Sequence, residues 1–193
     1  MNQFQRTIVA LQDAAVAFVV IGGAAMTVHG SAHITYDLDI AYSRSREDIE
    51  RLVRALAPYR PRLRGAPSSL PFHWDAGTVA RGLNFRLATD LGDIDLWGEV
   101  AGIGTHPDVL AASIALEIFR RPCHVLSLEG LIRAKRAAGR PRDLLALPEL
   151  EALSEIEIHL AGERAARQGR PHQAGELGAK DEAKSLRSAG GRR

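Results

Sequence analysis

The sequence predicts an α/β (α+β) fold: a mixed β-sheet with helices packed mainly on one face and further helices at the C-terminal end. Three observations predict it. Short apolar runs such as Phe18-Val19-Val20-Ile21 alternate with stretches whose apolar residues recur every three or four positions. Two strand-like runs, 84–89 and 93–96, flank a turn at Leu91-Gly92. A glycine pair, Gly22-Gly23, stands between an apolar run and a helix-forming stretch. Strand and helix signals mixed in this way exclude a bundle or a sandwich.

Each element follows in order. Segment 3–15 carries Ile8, Leu11 and Ala15 at helical spacing. Segment 17–21 is a buried strand, 23–28 a short helix ended by His29-Gly30-Ser31, and 36–41 a strand with two acids. Ser45 is a fitting N-cap for a helix with the apolar stripe Ile49, Leu52, Val53 and Leu56, which Pro58 and Pro61 stop. Segment 60–71, rich in Pro and Arg, reads as a loop. After the paired strands come a helix at 107–115, strands at 115–119 and 123–126, and a helix at 128–138 ended by Gly139. A last helical pattern covers 143–160, interrupted near Pro148. There is no internal repeat.

The 193 residues, 46% hydrophobic and 25% charged, suit one globular domain over 1–161. No apolar run approaches the ~18 residues that would span a membrane, and the start shows no leader pattern. One cysteine, Cys123, excludes an internal disulfide and fits a cytoplasmic protein, with the thiol as a small buried hydrophobe. His29 and His33 have no Cys or His cluster to complete a zinc site. Residues 162–193 hold eight Arg or Lys against four acids, so this stretch is +4 and the remainder −2. Leu177 and Leu186 are its main apolar residues, so it is expected to be a basic, disordered or loosely helical tail.

The chemistry concentrates in Thr35-Tyr36-Asp37-Leu38-Asp39-Ile40. In a strand, residues i and i+2 face the same way, so Asp37 and Asp39 project together while Leu38 and Ile40 pack behind. A divalent cation between two such carboxylates relieves their repulsion, and Mg²⁺ prefers hard oxygen ligands. Asp95 lies on a second acidic strand and can reach the same ion, with Asp93 as its rival on that face. Gly22-Gly23 before a helix suits an anion at the helix start, or simply close packing. Lys135 and Arg140 belong to a basic cluster that could also be a solvated helix face, and Asp143 is either an N-cap or a site residue. Trp74 and Trp97 read as core residues.

Together these residues resemble the nucleotidyltransferase superfamily, whose fold is that of DNA polymerase beta, and within it the bacterial branch of AbiEii-type toxin nucleotidyltransferases. The family's glycine pair and G-x-x-R-x-T-x-D-h-D-h correspond to Gly22-Gly23 and to Gly30-Ser31-Ala32-His33-Ile34-Thr35-Tyr36-Asp37-Leu38-Asp39-Ile40. Its third acid corresponds to Asp95-Leu96-Trp97, and its later K-x-x-x-x-R-x-x-D to Lys135, Arg140 and Asp143. The resemblance implies a Mg²⁺-dependent transfer of a nucleoside monophosphate from a nucleoside triphosphate to an RNA or protein acceptor, with a toxin–antitoxin system as one setting. It implies that Asp37, Asp39 and Asp95 are catalytic and hold two Mg²⁺ ions, while Gly22, Gly23 and Lys135 bind the triphosphate. It implies a cognate antitoxin or toxin as partner. The chain departs from the pattern at His33, where the family has arginine; a histidine is mostly neutral near pH 7. That departure keeps open a second expectation, a non-catalytic or degenerate member that binds or regulates.

Overall fold

A computed structural model describes residues 2–67 and 70–168 of the chain. The elements are α1 (Gln3–Asp13), β1 (Phe18–Val20), α2 (Gly22–Val28), β2 (Asp37–Tyr42), α3 (Arg46–Leu56), β3 (Arg62–Leu63), α4 (Ala76–Arg81), β4 (Asn84–Thr89) and β5 (Gly92–Trp97). Then follow β6 (Glu99–Val100), β7 (Gly104–Thr105), α5 (His106–Ala111), β8 (Ser113–Ile118), β9 (Arg121–Leu126), α6 (Leu128–Ala138), α7 (Pro141–Leu145) and α8 (Leu147–Gln168). Short polar side chains set the helix starts by accepting otherwise orphaned amides. Asn2 takes the Gln5 N–H at 2.8 Å, Ser45 that of Asp48 at 3.1 Å, Asp75 that of Thr78 at 2.7 Å and Ser127 that of Gly130 at 3.1 Å. Thr105 and Asp108 cap α5 reciprocally. Gly139 closes α6 in the left-handed conformation.

Seven strands form one mixed sheet in the order β3-β4-β5-β2-β1-β9-β8. The α+β expectation holds. The central pair, β2 and β5, runs parallel, with Asp37 beside Asp93 and Asp39 beside Asp95. On the opposite face Leu38, Ile40, Ile94 and Leu96 are sealed from solvent and join the core with Leu52 and Leu56 of α3. Burial on one face and acids on the other fix the strand register, because a one-residue slip would invert both. The chain divides into two units, 1–156 and 157–193, with the boundary inside α8. In the second unit residues 157–164 are exposed and His159 stands one turn from Glu163.

Several local expectations change; among them, the helix expected at 107–115 ends at Ala111, and Ser113–Ile118 is strand β8. Segment 60–71 is not loop throughout: Arg62 and Leu63 pair antiparallel with Ala88 and Leu87, because β4 otherwise offers an open edge. Helix α4 has only Val79 in the core, too little for an apolar stripe to show in sequence. The break near Pro148 falls earlier, at Ala146; Pro148 sits in the first turn of α8, where its missing N–H costs nothing. The expected tail lies outside the described residues beyond Gln168, while 162–168 continue α8.

Candidate active site

Parallel pairing of β2 with β5 builds the site's acidic wall. Register partners on adjacent parallel strands point the same way, so Asp37, Asp39, Asp93 and Asp95 share one face. Asp37, Asp39 and Asp95 line a cleft of about 320 Å³ together with Gly22, Gly23 and Lys135. The six residues singled out in the sequence therefore meet in one place. Asp93 lies further out, with its side chain 40% exposed against 7% for Asp95.

The glycine pair allows this closeness. Gly22 opens α2 at φ +60, and a Cβ there would lie 2.2 Å from Asp39 Oδ2. A Cβ on Gly23 would lie 2.7 Å from Thr35. The backbone of Gly23 also works against the rise in the Asp39 carboxyl, as the smallest of the influences on it. The indole of Trp97 donates to Asp39 Oδ1 at 2.9 Å, and the Thr35 hydroxyl meets Asp37 Oδ1 at 3.0 Å. Trp97 is therefore part of the site rather than plain core; Trp74 does pack in the core, edge-on to Phe85.

Burial governs the charges. It pushes the Asp39 carboxyl up to about 6; the Trp97 hydrogen bond opposes this, and the neighbouring Asp37 and Asp95 add to it. Burial also raises Asp95, with Arg64 and Arg86 offsetting part of the rise. The Arg64 guanidinium lies across three acids. Its Nη2 donates to Asp95 Oδ1 and Oδ2 at 2.6 and 2.8 Å, and its Nη1 to Asp93 at 3.0 Å and to Asp37 at 3.3 Å. Arg86, the register partner of Asp95 on β4, adds a bond of 3.2 Å to Oδ2.

The opposite wall is basic. Lys135 of α6 pairs with Asp143 at 3.3 Å, and Arg140 pairs with the same carboxylate. Asp143 is buried at 4% exposure. Burial works against its ionisation, but the Arg140 hydrogen bond and the Lys135 charge outweigh it and hold the carboxyl below its ordinary range. Arg142 and His33 also line the cleft. Glu149 of α8 accepts the Ala32 amide at 2.9 Å and so ties the segment carrying His33 to that helix.

The donor set fits Mg²⁺ in kind. Four hard carboxylates share one face, the half-buried Asp39 has no cationic partner among the described residues, and a guanidinium already stands among the other three. Among the described residues no three acidic, His or Cys side chains stand close enough to form a ready metal cluster. Arg64 holds Asp95, while Trp97 holds Asp39. Sequence reasoning missed Arg64, which lay in a segment read as loop, and the roles of Arg86 and Trp97. For Arg86 a signal existed: it stands in the strand run 84–89, which meets the acidic run 93–96 across a turn.

No protein-family model matches the chain, and no curated protein matches it significantly. Solved structures do. TM1012 from Thermotoga maritima, provisionally described as a nucleotidyltransferase, is 16% identical over 84% of this chain and 96% of that one, with a TM-score of 0.46. The antibiotic-resistance factor ANT(2'')-Ia, solved in solution, is 14% identical over 87% and 96%, with a TM-score of 0.43. Likeness at that level says nothing of what this chain does.

Proposed function

We propose that the chain is a metal-dependent nucleotidyltransferase that moves a nucleoside monophosphate from a nucleoside triphosphate to an RNA or protein acceptor. One observation carries the proposal: a single cleft holds Asp37, Asp39 and Asp95 on one wall and Lys135, Arg140 and Arg142 on the other. A triphosphate needs cations on its oxygens, and a transferase needs carboxylates to place them.

Asp37, Asp39 and Asp95 would hold Mg²⁺, two ions, whose chemistry is to neutralise phosphate charge and stabilise the attacking and leaving oxygens. The chain's own residues do the rest. Lys135 and Arg140 meet the phosphates, and Asp143 keeps both cations aimed at the cleft. Gly22 and Gly23 let the substrate approach without a Cβ in the way. The acceptor oxygen bonds to the α-phosphorus, the bond to the β-phosphate oxygen breaks, and pyrophosphate leaves. Asp95, buried and raised, takes the acceptor's proton.

Incubating the protein with label in the α-phosphate of each nucleoside triphosphate, against total RNA and lysate protein, tests this. Label should appear on an acceptor with Mg²⁺ and vanish in Asp37→Asn. Equal labelling by that variant refutes it. The second reading, a non-catalytic binding protein, draws support from Arg64, which compensates the acidic face without a metal. Wild-type protein that binds neither Mg²⁺ nor triphosphate selects it. The toxin–antitoxin setting and a cognate partner rest on the AbiEii-type resemblance, and a small regulator encoded beside this gene would support them. The cytoplasmic setting rests on the single cysteine; separately, no described helix is long and apolar enough to cross a membrane.

A further inference from the structure

We propose that Arg64 is an internal counter-ion that occupies the acidic face in the metal-free protein and must leave before a divalent cation binds there. The inference rests on the metal-dependent reading above. Four carboxylates in register on β2 and β5 would repel one another if nothing lay among them. Arg64 answers that repulsion with two bonds to Asp95, one to Asp93 and one to Asp37, all between 2.6 and 3.3 Å. A planar guanidinium with five donors suits such bridging, where a lysine would reach fewer oxygens.

The same contacts compete with a metal. Both oxygens of Asp95 are taken by Arg64, and Oδ2 also by Arg86. A Mg²⁺ ion needs oxygens at about 2.0–2.1 Å in near-octahedral array. Seated on these oxygens it would stand beside the guanidinium, and the two positive charges repel. The side chain is placed to move. Its backbone is anchored, since the Arg64 amide donates to the Arg86 carbonyl at 2.8 Å, so only the long side chain needs to swing. Arg86 differs: its side chain is 63% exposed and touches one carboxylate only. Metal affinity is then lowered by the fraction of molecules in which Arg64 stays seated.

Mn²⁺ binding to the full-length, chelator-stripped protein tests this, read as free Mn²⁺ by paramagnetic resonance. Arg64→Gln should bind Mn²⁺ about tenfold tighter than wild type, whereas Arg86→Gln should change affinity by no more than about twofold. The stripped Arg64→Gln protein should melt lower than wild type and regain more on adding Mn²⁺. If Arg64→Gln does not fold, Arg64→Lys takes its place and should also bind tighter than wild type. Mn²⁺ binding to a folded Arg64 variant that is equal to or weaker than wild type overturns the counter-ion role while leaving the metal site standing. No Mn²⁺ binding by wild type or variant overturns the metal reading itself, and this inference with it.

Discussion

Asp39 sets the pH behaviour of the metal-free protein. Its carboxyl is raised by burial from 3.8 to about 6. Below about pH 4 it is protonated whether the chain is folded or not, and folding keeps its full stability. As pH rises from about 4 to about 6 the unfolded chain releases this proton first, so stability drawn from Asp39 is lost and stays lost above. The loss is no more than about 3 kcal/mol, trimmed by the cleft's access to solvent. Stripped Asp39→Asn should therefore gain on wild type between pH 4 and 7 in chemical denaturation, because an amide never ionises. A difference flat with pH would contradict this. Lys135→Ala should weaken triphosphate binding about tenfold and cost no more than about 1 kcal/mol of stability, since Arg140 still pairs with Asp143. Titration of the nucleotide and a melt check both halves. At this scale the sequence was generous to the acids and poor for their partners. A two-residue period shows that Asp37 and Asp39 share a face, and a second acidic strand suggests Asp95. Nothing local shows that Arg64 reaches Asp95, because that contact joins residues 31 positions apart.

The elements were legible where local chemistry decides them. Ser45 and Gly139 mark helix ends by satisfying backbone groups, and both are visible as single letters. Strand β3 was not, since two residues carry no periodicity and only the edge of β4 calls them into the sheet. Two elements carry predictions. Gly22→Ala should lose about 2–4 kcal/mol, because the left-handed residue gains a Cβ 2.2 Å from Asp39 Oδ2 and the carboxylate must shift. A denaturant midpoint near wild type would contradict the close approach. The β8–β9 hairpin closes from Ile118 to Arg121 through Phe119 and Arg120, at φ 54 and 65. Such two-residue turns favour Asn-Gly, so Arg120→Gly should raise stability by about 1 kcal/mol. A lower melting temperature would refute that turn.

The whole molecule places its chemistry where parallel and antiparallel strands meet. β5 pairs parallel with β2 and antiparallel with β4, which sets Arg86 beside Asp95 and Asp95 beside Asp39. The alternation of strands and helices announced the mixed sheet, but not its strand order, which depends on pairings distant in sequence. Cutting the chain after Gly162 should leave the melting temperature within about 2 °C, because residues 157–164 are exposed and the core lies earlier. The proposed activity requires one cleft that takes a triphosphate only with a divalent ion. Equilibrium titration of a nucleoside triphosphate into wild type and Asp37→Asn, with Mg²⁺ and with chelator, tests it most directly. Saturable binding by wild type that needs Mg²⁺ and is lost in Asp37→Asn is the expected result. Binding that is absent, or that is equally tight with chelator or in Asp37→Asn, would contradict it.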